Sequence, residues 1–336
     1  MKNLITTRAT RNIALVGISK NSGKTSLLNA ILADFPDLGW AVMTTGIDGE
    51  EKDLVFKTHK PQVSLHPGML FCCDAQSLDA HGSKIQVLSA LSIRGRKLYL
   101  AKALHPLKTQ ITGPSSVLQQ AKLIAQFRAL GAKKVLVDGS LDRKSIAMEE
   151  TIDALILLIG ASYGSIEQII AELKRLIMLR DLPQAQLSNY QFRRLMRSDE
   201  ILIMHNSRWK SCKIKSLIRH EKQLLQLLER KTRALYIPSA LTDSVYEKLG
   251  KALASSDLKI IFRHPECIKL SRLYLQTLVQ RCQISCLIPF KIKAFALNST
   301  AIGKDAIAAD SFRQQIRAAF PEENFWDIME IDSARS

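Results

Sequence analysis

The chain has 336 residues, of which 46% are hydrophobic and 24% are charged. This composition is ordinary for a folded globular protein and excludes a chain dominated by disorder. The formal net charge of +17 favours an acidic partner or a heavily solvated basic surface.

Six cysteines give no sign of a metal site or of a disulfide framework. They form no C-x-x-C pair, and no cluster of His or Cys accompanies Cys282 and Cys286. No stretch approaches the roughly 18 apolar residues of a membrane span, and residues 1–11 contain no apolar signal segment. We therefore expect a soluble, cytoplasmic protein with reduced thiols.

The first fifty or so residues alternate apolar runs with amphipathic stretches. Asn12–Gly17 is a compact apolar run that ends in glycine, which predicts a buried strand. A helix is predicted over Thr25–Ala33, whose large apolar residues share one face. Trp40–Thr44 predicts a second strand, and the acidic loop Thr45–Asp53 follows it.

The next hundred residues predict a hairpin, a helix and two strands. A turn at Arg94–Arg96 separates the two hairpin strands, and Gly131 stops the helix that follows. The predicted elements are hairpin strands at Ile85–Ile93 and Lys97–Leu104, a helix capped by Gly113–Ser116 and running to Leu130, and strands at Lys134–Val137 and Ala154–Ile159.

The C-terminal half continues this alternation of strands and helices. Such an order indicates an α/β fold with a mostly parallel sheet flanked by helices. The predicted elements are an amphipathic helix around Ile166–Ile177, a basic helical region at about 190–231, strands at Ala234–Ile237, Lys259–Phe262 and Lys293–Leu297, and a last helix at Ala308–Ala319.

Residues 174–231 form a basic segment with 14 Lys and Arg against five Asp and Glu. Three interpretations stay open: solvated helix faces, a docking surface for an acidic protein partner, and nucleic-acid binding. The few interleaved aromatic residues are Tyr190, Phe192 and Trp209, so stacking on a single nucleic-acid strand is weakly supported.

A glycine-bounded segment joins the first predicted strand to the first helix. Its sequence, GISKNSGKT, has the context and the Gly-Lys-Thr ending of a P-loop, although its first glycine lies one residue further out than usual. Backbone N–H groups and the helix N-terminus would face phosphate oxygens. Lys24 would reach the β- and γ-phosphates, and the Thr25 hydroxyl would bind Mg²⁺. The predicted nucleotide-binding residues are Gly17, Ser19, Lys20, Asn21, Ser22, Gly23, Lys24, Thr25 and Ser26.

This motif makes the expected fold an α/β, P-loop NTPase-type, mostly parallel sheet flanked by helices, with an α/β C-terminal half. We expect a nucleotide-binding domain over residues 1–165. A C-terminal α/β region would cover residues 166–332 and contain the basic helical segment at about 174–231.

Two carboxylates follow predicted strands and are candidates for metal binding and catalysis. Asp138 follows the apolar run Lys134–Val137 and so lies at the carboxyl end of a predicted strand. Open α/β sheets bind ligands at that end, and we expect Asp138 to bind Mg²⁺. Asp48 could orient an attacking water or hold a water bound to Mg²⁺, with a solvated acidic loop as the alternative. Lys24 and Asp48 are therefore the candidate catalytic residues.

Three other residues have open roles. Arg143 or Lys144 could neutralise phosphate charge, or could form a structural ion pair. Asn298 could contact the base, although a strand-end turn is favoured. No N-K-x-D motif for guanine occurs in the sequence, so ATP is favoured over GTP.

The G-x5-G-K-T spacing resembles that of dethiobiotin synthetase and its relatives, over the first strand, loop and helix only. Longer phrases resemble the small, P-loop subunit of the lysine 5,6-aminomutase reactivase and its ornithine aminomutase counterpart. These phrases lie at 18–29, 44–55, 57–61, 67–73, 111–116, 137–147, 238–244 and 296–322.

The second resemblance extends over nearly the full chain. It implies a protein that uses ATP and Mg²⁺ together with a MutS-like ATPase partner to exchange damaged cobalamin on a B12-dependent aminomutase. A biosynthetic enzyme of the dethiobiotin-synthetase type, which phosphorylates a small substrate, stays open as the alternative. A metabolite site beside the γ-phosphate would favour the enzyme, whereas stimulation of a weak ATPase by a protein would favour the switch.

Overall fold

The computed structural model describes residues 2–19, 22–45, 62–93, 95–140, 151–228, 232–254, 258–300 and 307–333. The chain forms two compact units. The first unit comprises Met1–Ile169 and Lys291–Ser336, and the second comprises Ile170–Phe290.

The N-terminal part of the first unit contains most of a large sheet. The strands in this part of the chain are β1 (Asn12–Gly17), β2 (Trp40–Thr44), β3 (Val63–Leu65), β4 (Leu70–Cys73), β5 (Ile85–Ile93), β6 (Arg96–Ala103), β7 (Leu107–Thr109), β8 (Lys134–Ser140) and β9 (Ala154–Gly160), of which β3 and β7 form a separate two-stranded sheet. Its helices are α1 (Lys2–Thr6), α2 (Lys24–Asp34), α3 (Ala75–His81) and α4 (Val117–Ala129).

The second unit has its own strands and helices. The helix α5 (Ile166–Arg180) contains the boundary between the two units. The helices that follow are α6 (Asn189–Met196), α7 (Glu221–Leu227), α8 (Asp243–Leu253) and α9 (Arg272–Arg281). The strands are β10 (Leu202–His205), β11 (Arg208–Ser211), β12 (Ala234–Ile237), β13 (Leu241–Thr242), β14 (Lys259–Phe262), β15 (Ile268–Lys269) and β16 (Gln283–Cys286).

The chain then returns to the first unit, where it adds two strands and two helices. These elements are β17 (Ile292–Asn298), α10 (Ala309–Ala319), β18 (Phe325–Asp327) and α11 (Ile328–Ser333).

The large sheet has nine strands in the order β18-β17-β9-β1-β8-β2-β4-β6-β5. Every neighbouring pair from β18 to β4 is parallel, and the β5–β6 hairpin adds an antiparallel edge. All seven residues of β9 are buried. Central parallel strands are covered on both faces, which explains why β9 is a continuous apolar run rather than an alternating one.

The core of the first unit packs α2 against this sheet. Leu27, Leu28 and Ile31 of α2 belong to one buried cluster with Ile13 and Leu15 of β1. Each fully buried Leu or Ile contributes roughly 1.5–3 kcal/mol of hydrophobic stabilisation. This packing fixes the start of α2 relative to the end of β1.

The second unit has a five-stranded sheet in the order β11-β10-β12-β14-β16. Strands β12, β14 and β16 are parallel, whereas β10 is antiparallel to both of its neighbours. A separate buried cluster includes Leu195, Trp209 and Tyr236. The unit therefore has a hydrophobic core of its own.

The expected α/β class, with a large and mostly parallel sheet flanked by helices, is confirmed. The expected division at residue 165 differs from the observed one, because Lys291–Ser336 rejoins the first unit. The physical reason is that β17 pairs with β9, a partner far away in sequence.

The basic region at about 190–231 is not helical throughout. It contains α6 and α7, but the hairpin β10–β11 lies between them. Asn206 and Ser207 form its two-residue turn with φ angles of 46° and 60°, the left-handed conformation that tight hairpins require. Strands β16 and β18 and helix α11 were also not predicted.

Among the residues described, no helix is both long and apolar enough to cross a bilayer.

Candidate functional site

The predicted site residues that the structure describes lie at one edge of the large sheet. Strands β1, β2, β8, β9 and β17 run parallel, so their carboxyl ends lie at the same edge. Gly17, Thr44, Gly160 and Asn298 are the last residues of β1, β2, β9 and β17. This edge is where open α/β sheets bind their ligands.

The segment after β1 folds back closely on Gly17. A Cβ atom placed on Gly17 would lie 1.9 Å from Ser22 Oγ and 3.0 Å from the backbone oxygen of Ser19. The Ile18 N–H donates to the Leu158 carbonyl of β9 at 3.0 Å, which fixes where the loop leaves the sheet. Gly17 is therefore required by close approach within the loop.

Ser22, which approaches Gly17, is 0% exposed. Its Cα would be 3.1 Å from a Cβ placed on Gly160, so the loop also packs closely on the end of β9. The hydroxyl oxygens of Ser19 and Ser22 are buried and have no hydrogen-bond partner among the residues described. A buried hydroxyl without a partner costs about 1–3 kcal/mol, which a ligand oxygen could offset.

Gly23 is the N-cap of α2, with φ 91° and ψ 19°. This left-handed conformation is open to glycine and strained for most other residues. No side chain caps the helix, although the Leu27 N–H donates to the Gly23 carbonyl at 3.0 Å. The first turn of a helix has N–H groups without intrahelical partners, and they attract anions.

Lys24, Thr25 and Ser26 form the first turn of α2. Lys24 and Thr25 are half-buried, and Ser26 is exposed. The residues at the positive end of the helix dipole thus carry one ammonium group and two hydroxyl groups.

Asn298 reaches the same turn from β17. A Cβ atom placed on Gly23 would lie 2.6 Å from Asn298 Nδ2. Asn298 Oδ1 also accepts from the Thr300 N–H at 3.2 Å. The strand therefore ends at Asn298, whose side chain bonds to the backbone two residues on and also lies against the loop.

Asp138 lies within β8, in register with Leu15 of β1 and Thr44 of β2. The strand extends two residues beyond Asp138, further than the sequence predicted. The Asp138 carbonyl accepts a hydrogen bond from the Thr45 N–H at 2.9 Å, and the Asp138 side chain is half-buried. This main-chain bond ties the end of β2 to the strand that presents the carboxylate.

Several predicted site residues lie outside the described part of the chain. These residues are Lys20, Asn21, Asp48, Arg143 and Lys144.

Two glycines at this edge were not predicted as site residues. Gly160 approaches Ser22, and a Cβ atom placed on Gly113 would lie 1.9 Å from the Thr44 carbonyl oxygen. The Thr44 N–H also donates to the Thr112 carbonyl at 3.2 Å. The signal available in the sequence was the glycine itself, in the phrases GAS and TGP, because a glycine often marks a site of close backbone approach.

The chain matches no protein-family model, and no curated protein matches it. Arguments about its function therefore depend on the site itself.

The residues present fit a phosphate group with Mg²⁺. The tight loop, the buried serine hydroxyls and the α2 N-terminus without a side-chain cap suit an anion. Threonine and carboxylate oxygens are the donors that Mg²⁺ prefers. Among the residues described, no group of three or more His, Cys, Asp or Glu side chains could hold a metal ion.

Proposed function

We propose that the chain binds ATP with Mg²⁺ at the loop between β1 and α2. The observation that carries this proposal is the N-terminus of α2, which follows a tight glycine-bounded loop and has no side-chain cap. A helix start of this kind leaves backbone donors for an anion, and Lys24 adds a positive charge at the same place.

Each described residue has a separate role in this proposal. Lys24 would neutralise phosphate charge, whereas Gly17 and Gly23 let the backbone approach closely. Thr25 and Asp138 would hold the metal through their oxygen atoms. Bound Mg²⁺ would supply positive charge to the terminal phosphates. Asn298, against Gly23, would restrain the loop where α2 begins.

We further propose that ATP drives an ATPase or a switch that acts with a protein partner to reactivate a B12-dependent aminomutase. The support is the resemblance to the reactivase small subunit, whose phrases include ISKNSGKTSLLN and VDGSLDRKSIA. The described residues of these two phrases, 18–19, 22–29 and 137–140, belong to the loop after β1, to α2 and to the end of β8.

Binding of ATP is tested first with Lys24→Ala and Asp138→Asn. We expect Lys24→Ala to abolish calorimetrically measured ATP binding, because it removes the phosphate-neutralising charge while alanine keeps the helix. Asp138→Asn should reduce Mg²⁺-dependent turnover more than ATP affinity, because the amide keeps the shape but loses the charge.

Lys122→Ala, an exposed change on α4, is the matched control and should bind ATP like the wild type. ATP binding by Lys24→Ala at wild-type affinity would refute the site.

The reactivation role needs a separate assay. An aminomutase inactivated with bound cyanocobalamin would be mixed with the chain, a MutS-like partner, ATP and adenosylcobalamin. Recovery of mutase activity should require ATP and should fail with Lys24→Ala. Normal ATP binding without recovery for any tested mutase would remove this role and leave the nucleotide site standing.

A further inference from the structure

A groove in the second unit runs between α6 and the β10–β11 hairpin. Its volume is about 640 Å³. One wall comes from the start of α6 and the residues before it, and the other comes from the hairpin. The lining residues are Ser188, Tyr190, Gln191, Arg194, Ser207, Arg208, Trp209 and Lys210.

The groove is strongly basic. Arg194, Arg208 and Lys210 line it, and no acidic residue is among its lining residues. Residues 188–219 contain eight Lys and Arg against two acidic residues, Asp199 and Glu200. Both acids already have partners.

Asp199 pairs with Arg263 at 3.2 Å, and Glu200 accepts a hydrogen bond from Ser211. Arg208 and Lys210 are exposed and form no ion pair within the described part of the chain. Their charge is therefore available to a partner.

The backbone of β11 adds a row of hydrogen-bonding groups. Strand β11 is the outermost strand of its sheet. The Cys212 N–H donates to the Ile201 carbonyl at 2.9 Å, and alternate residues of an antiparallel strand bond inward. The backbone groups of Trp209 and Ser211 consequently face the open side of the strand.

One contact supports this orientation. Arg194 Nη2 donates to the Trp209 carbonyl at 2.5 Å, from the side of α6. Trp209 is 4% exposed, and its indole nitrogen is buried without a hydrogen-bond partner in the described residues. A segment that brings acceptor oxygens to this groove would meet donors on both walls.

We propose that this groove binds an extended, acidic segment of a protein partner. Carboxylates of the segment would pair with Arg208 and Lys210, and its backbone would lie along the outer edge of β11. A single nucleic-acid strand fits less well, because it needs several exposed rings on which bases stack. Tyr190 is 73% exposed, whereas Trp209 is almost completely buried.

This inference extends the proposed function, since an ATP-dependent switch needs a surface that contacts its partner. Its test uses no nucleotide. A failure here would therefore leave the ATP site untouched, and a failure at the ATP site would leave the groove untouched.

The test measures fluorescence anisotropy of the full chain with labelled probes. The first probe is a peptide of about twelve residues with alternating Glu and Thr, and the second has Lys in place of Glu. The third is a single-stranded oligothymidine of about fifteen nucleotides. Each is titrated at about 50 and 200 mM salt.

The test variant is Arg208→Glu/Lys210→Glu, which leaves the Arg194 contact to the Trp209 carbonyl intact. The control variant, Lys259→Glu/Lys269→Glu, makes the same change in charge at exposed positions on other strands of the second unit. Thermal unfolding curves verify that both variants fold.

We expect the acidic peptide to bind the wild-type chain. The test variant should bind it about tenfold or more weakly, and the control variant should bind it with nearly unchanged affinity. The basic peptide should not bind. Absence of acidic-peptide binding, or equal losses in the two variants, would refute the groove. Tighter binding of oligothymidine, with a steep salt dependence and loss in the test variant, would replace the proposal with a nucleic-acid site.

Discussion

At the scale of single residues, Gly17 is a loop position that has no room for a side chain. A Cβ atom there would lie 1.9 Å from Ser22 Oγ, inside any permissible contact distance. We predict that Gly17→Ala opens the loop, lowers the free energy of unfolding by about 1–3 kcal/mol and abolishes the proposed ATP binding. Chemical denaturation and calorimetric ATP titration measure the two effects.

Ser22→Gly provides a matched test of the cause. It removes both the hydroxyl and the Cβ that crowd Gly17, so the double variant Gly17→Ala/Ser22→Gly should recover part of the lost stability. If the double variant loses as much stability as the two single variants together, the clash with Ser22 is not the reason for glycine at position 17.

The neighbouring thiols Cys72 and Cys73 give a prediction for pH. Burial, with smaller contributions from nearby acidic groups, raises the pKa of the Cys73 thiol to about 12 and that of Cys72 further still. The unfolded chain loses these protons first, at a pKa near 9.0. The free energy of unfolding should therefore fall as pH rises above about 9 and hold steady with respect to these thiols below it.

Thiol reactivity checks the same groups independently. All six cysteines are buried. A thiol reagent at about pH 8 should therefore modify them only slowly in the native chain and fully in denaturant. Rapid modification of Cys72 or Cys73 under native conditions would contradict the burial that raises their pKa.

At the scale of elements, α6 depends on a specific N-terminal cap. Ser188 Oγ accepts from the Gln191 N–H at 3.3 Å, and Gln191 Oε1 accepts from the Ser188 N–H at 3.2 Å. We predict that Ser188→Ala lowers the free energy of unfolding by about 1 kcal/mol. Ser271, the N-cap of α9, makes no side-chain cap bond, so Ser271→Ala should cost clearly less. Equal effects in denaturant titrations would contradict this.

Sequence patterns predicted the central strands well, because parallel strands covered on both faces are continuous apolar runs. The predicted strand at Ala154–Ile159 and the observed β9 differ by one residue. The hairpin β10–β11 was missed because Asn206 and Ser207 adopt the left-handed conformation without a glycine in the turn. Strand β11 is short and edge-placed, and only Trp209 of its four residues is buried.

The motif predicts the site residues from Gly17 to Ser26 as a local pattern. The close approaches of Gly160 and Gly113 to other parts of the chain are visible only in the structure. Asn298 illustrates the limit, because its contact with Gly23 depends on β17 lying two strands from β1. A contact between residues so distant in sequence leaves no local pattern.

At the scale of the whole molecule, the second unit is inserted between two parts of the first. The returning segment supplies β17 and β18 to the large sheet, and buried Asp327 pairs with Arg313 at 3.2 Å. Hydrophobic periodicity recognises the strand and helix of this segment but not the sheet they join. For this reason the sequence placed the segment in the C-terminal domain.

This connectivity predicts opposite outcomes for two fragments. Residues 170–290 contain a complete sheet and a separate buried cluster, so this fragment should fold alone and unfold cooperatively. A chain ending at Phe290 would lack β17 and β18 and expose the apolar edge of β9. We expect that truncated chain to aggregate, because an open apolar edge strand pairs with other chains. Circular dichroism and size-exclusion chromatography on both fragments measure their folding and aggregation.

Two outcomes would contradict these predictions. A monomeric, ATP-binding chain without residues 291–336 would show that β17 and β18 are dispensable. An unfolded 170–290 fragment would show that the second unit depends on the first.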